Sequence, residues 1–207
     1  MVYFINYFTF VALNMVMETK NDNLSAQESL NLINAMIQQA KGNMQKSSFY
    51  FLLWGWTIAI ANLGVYILIK FTDVSNPFLM FAITIPSAII SSIYGARQEK
   101  QKIALTILDS ISKWLWIGFG ITCFIFAFFG QRMGWQINPV IITMCAVPTF
   151  VSGIMLRFKP LMIGGVVFWV LGIVIFLVPA ETQFLIAALA MVLGYLVPGY
   201  MLKKSEV

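Results

Sequence analysis

The chemistry this sequence offers its interior rests on a few neutral polar residues inside long apolar stretches: Asn62, Thr84, Ser87 and Thr149, with Pro86 and Pro148 beside them. An amide and hydroxyls can donate and accept hydrogen bonds without carrying charge. A proline inside a helix lacks the N–H that would pair four residues back, so it frees a carbonyl and tends to kink the chain. Gathered at one depth, these groups could line a neutral polar site where broken helices meet. The plainer use is as ties between neighbouring helices, the common role of such residues in lipid.

Other chemistries lack their residues. Histidine is absent from all 207 positions, which removes the commonest general base and metal ligand. Cys123 and Cys145 are isolated within apolar runs, with no C-x-x-C and no disulfide framework. All eight Asp and Glu fall outside the expected spans, so no buried acid offers itself as a proton or cation carrier. No phosphate-binding glycine loop or nucleophile elbow occurs. Asp73, Asp109 and Glu181 lie in loops with nothing to assemble them. The expectation is a non-enzyme without metal or cofactor.

The elements that must position the polar residues follow from composition. The chain is 60% apolar and 10% charged, against about 25% charged in an ordinary soluble domain. Uncharged runs of roughly 20 residues match a hydrocarbon core about 30 Å thick at 1.5 Å per residue. They predict an all-α polytopic membrane protein with six transmembrane helices near 49–71, 77–96, 114–130, 138–156, 161–178 and 184–202. A water-soluble helical bundle would keep a polar face on its helices, and these stretches have none.

Orientation follows from the cations. Of 13 Lys and Arg, only Lys70 and Arg132 fall on one side of the predicted bundle; the others precede the first span, follow the last, or join the second to the third and the fourth to the fifth. The positive-inside rule then places both termini in the cytoplasm. The net charge of +5 is accounted for by this topology and by anionic headgroups, so nucleic acid is not an expected partner and the lipid bilayer is. Trp54, Trp56, Trp114 and Trp116 belong near the inner interface and Trp135 near the outer, while Trp169 falls mid-span.

A repeat organises the spans. "NPFLMFAITIP" (76–86) and "NPVIITMCAVP" (138–148) share Asn-Pro, eight residues, then Pro. Asn is a favoured N-cap and Pro a favoured first helical residue, so each motif is expected to start an even-numbered span at the outer surface. The second proline then lies about 14 Å deeper, near the midplane, at about the depth of Asn62. The same offset pairs Trp54 with Trp116 and Lys70 with Arg132, and "VSGIML" (151–156) is echoed by "VPGYML" (197–202). These echoes predict three hairpins related by an axis along the membrane normal. Small residues four apart, such as Ser87, Ser91 and Gly95, or Cys145, Thr149 and Gly153, mark where even spans should approach neighbours closely.

Residues 1–23 stand apart. The run "MVYFINYFTFVALNMV" lacks a basic n-region and a cleavage site, and reads as an upstream extension before Met17 or a short interfacial segment. Residues 24–47 form the one soluble-looking element. Ser25 to Glu28 has capping-box form, and Leu30, Ile33, Ile37 and Met44 recur on one face of an amphipathic cytoplasmic helix. That face suits the membrane surface, the bundle's inner end, or a partner helix.

The stretches "ESLNLINAMIQQAK" and "KWLWIGFGI", together with six short-looped spans over roughly 24–204, resemble a group of small bacterial inner-membrane proteins without assigned function. The resemblance implies a bacterial cytoplasmic membrane and carries over no site residues. Two function classes stay open. The first is a non-catalytic protein that binds a partner at the cytoplasmic face or senses the membrane, using residues 24–47 and the basic amphipathic segment 97–113. The second is a small transporter or channel for a neutral or apolar solute, for which a homo-oligomer would give room.

Overall fold

A computed structural model describes Leu30 and residues 47–101, 107–133 and 137–205. The chain divides into two compact units, Met1–Met44 and Gln45–Val207. Of the first, Leu30 is described, as a helical residue with an exposed side chain. The predicted faces at Ile33, Ile37 and Met44, the capping box and Trp135 lie outside the described residues.

The described part of the second unit is all helical. Without water to take up N–H and C=O groups, an apolar chain must satisfy its backbone within itself, and helix does so residue by residue. Among the described residues, six helices are long and apolar enough to cross a bilayer: Ser48–Phe71, Pro77–Lys100, Leu108–Phe128, Ile137–Met155, Lys159–Phe176 and Ala180–Ser205. They are built from α1 (Ser48–Phe71), a 3₁₀ stretch (Pro77–Ile83) running into α2 (Thr84–Gln101), α3 (Ile107–Phe128), α4 (Ile137–Met155), α5 (Lys159–Phe176), and α6 (Ala180–Met191) continued through a π-helical turn (Val192–Leu196) into α7 (Val197–Ser205). The third begins about two turns earlier than its uncharged run, because α3 takes in Asp109 and Lys113 at its first turns. Lys113 bonds Glu99 of α2 at 2.9 Å, an exposed pair worth little by itself.

The six do not share burial equally. A core forms where α1, α4, α5 and the sixth span meet, around Phe51, Ala59, Ile142, Ala146, Leu161, Phe168, Met191 and Tyr195. The second span lies on α1 and is 6% buried, and the third lies along α4 with none of its apolar window buried. The broadest interface is between α4 and α5. The three hairpins expected from the sequence would put these two helices in different pairs.

The α4–α5 turn explains that closeness. Phe158 N–H bonds the Gly153 carbonyl at 2.9 Å and Arg157 N–H the Ile154 carbonyl at 3.0 Å, the two bonds of a Schellman motif. Arg157 takes the left-handed position there, with φ 51°, where glycine is usual. Pro160 then sits in the first turn of α5, where its missing N–H costs nothing. The helices fold back at once, and glycines let them close. A Cβ on Gly165 would lie 2.8–3.0 Å from Cβ, N and Cα of Phe150, and one on Gly153 would meet the Met162 backbone nitrogen at 2.6 Å.

The two Asn-Pro-x₈-Pro motifs depart from expectation in how they start their spans. Asn76 makes no side-chain cap; its backbone carbonyl instead accepts from Leu79 N–H at 3.3 Å and closes the first 3₁₀ turn. Asn138 lies inside α4, one residue past its start, and turns its amide sideways to another helix. A side chain engaged laterally is not available to cap its own helix. The deeper prolines also differ. Pro86 falls in the first turn after the 3₁₀ stretch, so its missing N–H coincides with a change of helix type. Pro148 is buried inside α4, which continues as α-helix from Ile137 to Met155.

Candidate functional site

The four polar residues singled out from sequence have separate partners, and none hydrogen-bonds to another of the four. Asn62 is 1% exposed, so both ends of its amide need a partner. Its Nδ2 donates to the Ile58 carbonyl at 2.9 Å, and its Oδ1 accepts from Asn138 Nδ2 at 3.1 Å. That partner stands ten positions before Pro148, about 15 Å away along a helix. Asn62 therefore meets the first turn of α4 and not the carbonyls freed by Pro86 or Pro148.

Ser87 faces Thr57 of α1 at 2.7 Å, and its hydroxyl also reaches the Ile83 carbonyl at 3.2 Å. One turn along, Trp54 Nε1 donates to Ser91 Oγ at 2.9 Å. Gly95 completes the ladder, with room for a Cβ only 3.0 Å from the Tyr50 hydroxyl. The small residues of this span therefore lie against α1, as their spacing suggested. Thr84 turns back on its own helix and donates to the Phe81 carbonyl at 2.7 Å.

Thr149 belongs to the centre of the core. Its hydroxyl donates to the Cys145 carbonyl at 2.6 Å and lies 3.3 Å from the Tyr195 hydroxyl. Tyr195 sits in the π-helical turn, a rare geometry often found at functional positions. Rings surround it edge-on, with Phe168 at 4.9 Å and Phe51 at 5.6 Å between centroids, and Trp116 of α3 stands 6.4 Å away. Gly194 and Gly164 let the sixth span and α5 touch here, since a Cβ on Gly164 would fall 2.5 Å from the Gly194 carbonyl oxygen. Sequence reasoning passed over Tyr195 and the Asn138 amide. Tyr195 carried a signal, a phenol in the middle of an apolar run; Asn138 was masked by its resemblance to a cap.

A second feature lies between the spans. A groove of about 520 Å³ opens beside the α1–α2 contact. Along α1 it runs over Ser48, Phe49, Leu52, Leu53, Trp56, Thr57 and Ile60, residues at helical spacing on one face. Ile83, Ser87 and Tyr94 of the second span and Lys203 of α7 form its other walls. The Thr57–Ser87 pair in its wall is bonded within itself, and Trp56 Nε1 donates to the Tyr200 hydroxyl at 3.1 Å on its rim.

Among the described residues, the Ser152 hydroxyl and Gln98 Nε2 are buried without a hydrogen-bond partner. Among the same residues no three of Cys, Asp and Glu gather where they could share a metal. Comparison with protein-family models, curated proteins and solved structures finds no match.

Proposed function

We propose that this is a non-catalytic multi-pass protein of a bacterial cytoplasmic membrane that binds a partner or senses the state of the bilayer, with both termini cytoplasmic. The observation that carries the reading is that three pairs of its polar groups meet each other between helices. Asn62 with Asn138, Thr57 with Ser87 and Thr149 with Tyr195 satisfy one another across helix boundaries. Aromatic rings and glycine contacts fill the space between α1, α4, α5 and the sixth span. Groups that have already spent their hydrogen bonds on each other are poor ligands for a passing solute, and a filled core leaves little path for one. The groove among the described residues lies outside this core, between α1, the second span and Lys203.

In this reading the second and third spans form a bare periphery, a surface for lipid, a second copy or a protein partner. The amphipathic segment at 24–47 adds a partner face at the cytoplasmic end. The duplication of out-and-back hairpins is part of the proposal: it accounts for two Asn-Pro starts whose first prolines both fall in the opening turn of their helices.

Two measurements test it. Single cysteines at Ser75 in a Cys-free chain are expected to react with an impermeant reagent in intact cells, and cysteines at Ser110 and Ser205 are not. Labelling of Ser205 from outside would reverse the topology. The alternative, a small transporter or channel for a neutral or apolar solute, is separated by reconstitution. Vesicles carrying the protein are expected to leak glycerol and urea no faster than protein-free vesicles. A several-fold faster leak that Asn62→Leu abolishes would establish the transporter reading instead.

A further inference from the structure

We infer that the groove beside α1 holds one acyl chain of an anionic phospholipid from the leaflet at the Ser48–Lys203 end of the bundle, with Lys203 at the headgroup. This deepens the membrane-sensing reading by naming what is sensed, and rests on it. The first argument is length. The α1 wall runs from Ser48, the first residue of the helix, to Ile60. Twelve residues at 1.5 Å each give about 18 Å, close to the ~15 Å of hydrocarbon in one leaflet. The groove thus spans the depth an acyl chain occupies and ends near the midplane.

The second argument is the polarity gradient along that length. The deep walls are apolar, from Leu52, Leu53, Ile60 and Ile83, and the Thr57–Ser87 hydroxyls among them are already bonded to each other. At the other end stand the Lys203 ammonium, the Ser48 hydroxyl and the Tyr94 ring. Lys203 is exposed, and among the described residues no carboxylate pairs with it. An apolar slot with one cation at its mouth complements an amphiphile with an anionic head, and fits a soluble anion or a neutral solute less well. Its volume lies within the roughly 300–1,000 Å³ typical of small-molecule sites. The proposed topology also puts this end at the cytoplasmic leaflet, where anionic lipid supplies the attraction.

The test uses the full chain, purified in mild detergent and titrated with phosphatidylglycerol or phosphatidylcholine of identical acyl chains, with binding followed by native mass spectrometry. One phosphatidylglycerol is expected to be retained at about fivefold lower concentration than phosphatidylcholine, as one lysine near an anionic group would produce. Lys203→Gln is expected to erase the preference, Lys113→Gln to leave it, and Ile60→Trp to weaken both lipids. A preference that survives Lys203→Gln, or that Lys113→Gln removes equally, overturns the assignment. A phosphatidylglycerol carrying a mid-chain photoactivatable group keeps the test independent of any variant's folding. Crosslinks are expected at 49–60 and 83–94; crosslinks confined to α3 or α5 overturn the inference. Failure of these arms while vesicles stay tight removes this lipid site alone, whereas solute leak through the vesicles removes the reading beneath it.

Discussion

Two stretches of this chain share a skeleton and meet opposite fates. Residues 76–86 begin a span that is 6% buried, while residues 138–148 begin one that is 44% buried. Pro86 is exposed beside a 3₁₀-to-α junction, and Pro148 is buried within continuous α-helix. The motif itself cannot account for the difference, since Asn, Pro and the spacing are common to both. The neighbours account for it. The second span has α1 on one side, held by Thr57–Ser87 and Trp54–Ser91. The fourth has α5 folded tightly against it by the Arg157 turn, and the core helices around it. A proline motif specifies where a helix can be irregular; whether that place is core or surface is settled by what packs on it.

The heaviest loss is expected at the glycine contact that packs α5 on α4. Gly165→Leu would drive a side chain into the Phe150 backbone, a site that cannot yield as a flexible side chain would. Loss of about 3 kcal/mol or more is expected, seen as collapse of the monodisperse peak in size-exclusion chromatography after mild heating. Gly118→Leu on bare α3, with nothing within 4 Å of its Cβ position, is the control and should melt like the parent. Equal damage from both would mean that α3 is covered and the periphery is not bare.

Next in size is the proline pair. Pro148→Ala removes buried packing, and is expected to cost about 1–2 kcal/mol in detergent unfolding. Pro86→Ala, at an exposed first turn that needs no N–H partner, should cost less than about 0.5 kcal/mol. If the two cost the same, burial is not what separates the copies.

Smaller still are the polar ties. Asn62→Leu strands the Asn138 amide, and Ser87→Ala strands Thr57. Each is expected to cost about 0.6 kcal/mol and at most about 1.7, the mean and upper end for interhelical hydrogen bonds in lipid, with Asn62→Leu the greater because its amide is 1% exposed. A double-mutant cycle of Asn62→Leu with Asn138→Leu should recover most of the single losses. Simple additivity would show that the two amides do not depend on each other.

The smallest effect has the opposite sign. Arg157→Gly relieves a left-handed residue at the α4–α5 turn. It is expected to stabilise by about 0.5–1 kcal/mol, read as a higher melting temperature without change in lipid binding. No gain would mean that the Arg157 side chain holds the turn by contacts that offset its backbone strain.

Six apolar helices, most of their ends within a few residues, and a small-residue ladder of Ser87, Ser91 and Gly95 against a neighbour were legible in the sequence. The physical reason is local. Hydrocarbon length and backbone self-satisfaction act on each run separately, and a small-residue ladder is a property of one helix face. Which helices form the core emerged from packing between them. Hydrophobic patterning cannot rank them, because lipid-facing and protein-facing positions are equally apolar in a membrane, and the amphipathic signal that orients a soluble helix is missing. The same cause scattered the expected polar group. Asn62, Thr84, Ser87 and Thr149 were placed at a common depth by counting residues, but depth along a helix says nothing about azimuth. Asn62 turned toward Asn138, Ser87 toward Thr57, Thr84 to its own turn and Thr149 toward Tyr195. The groove was illegible for the same reason: its walls come from α1, the second span and α7, and no pattern within one helix records which others stand beside it.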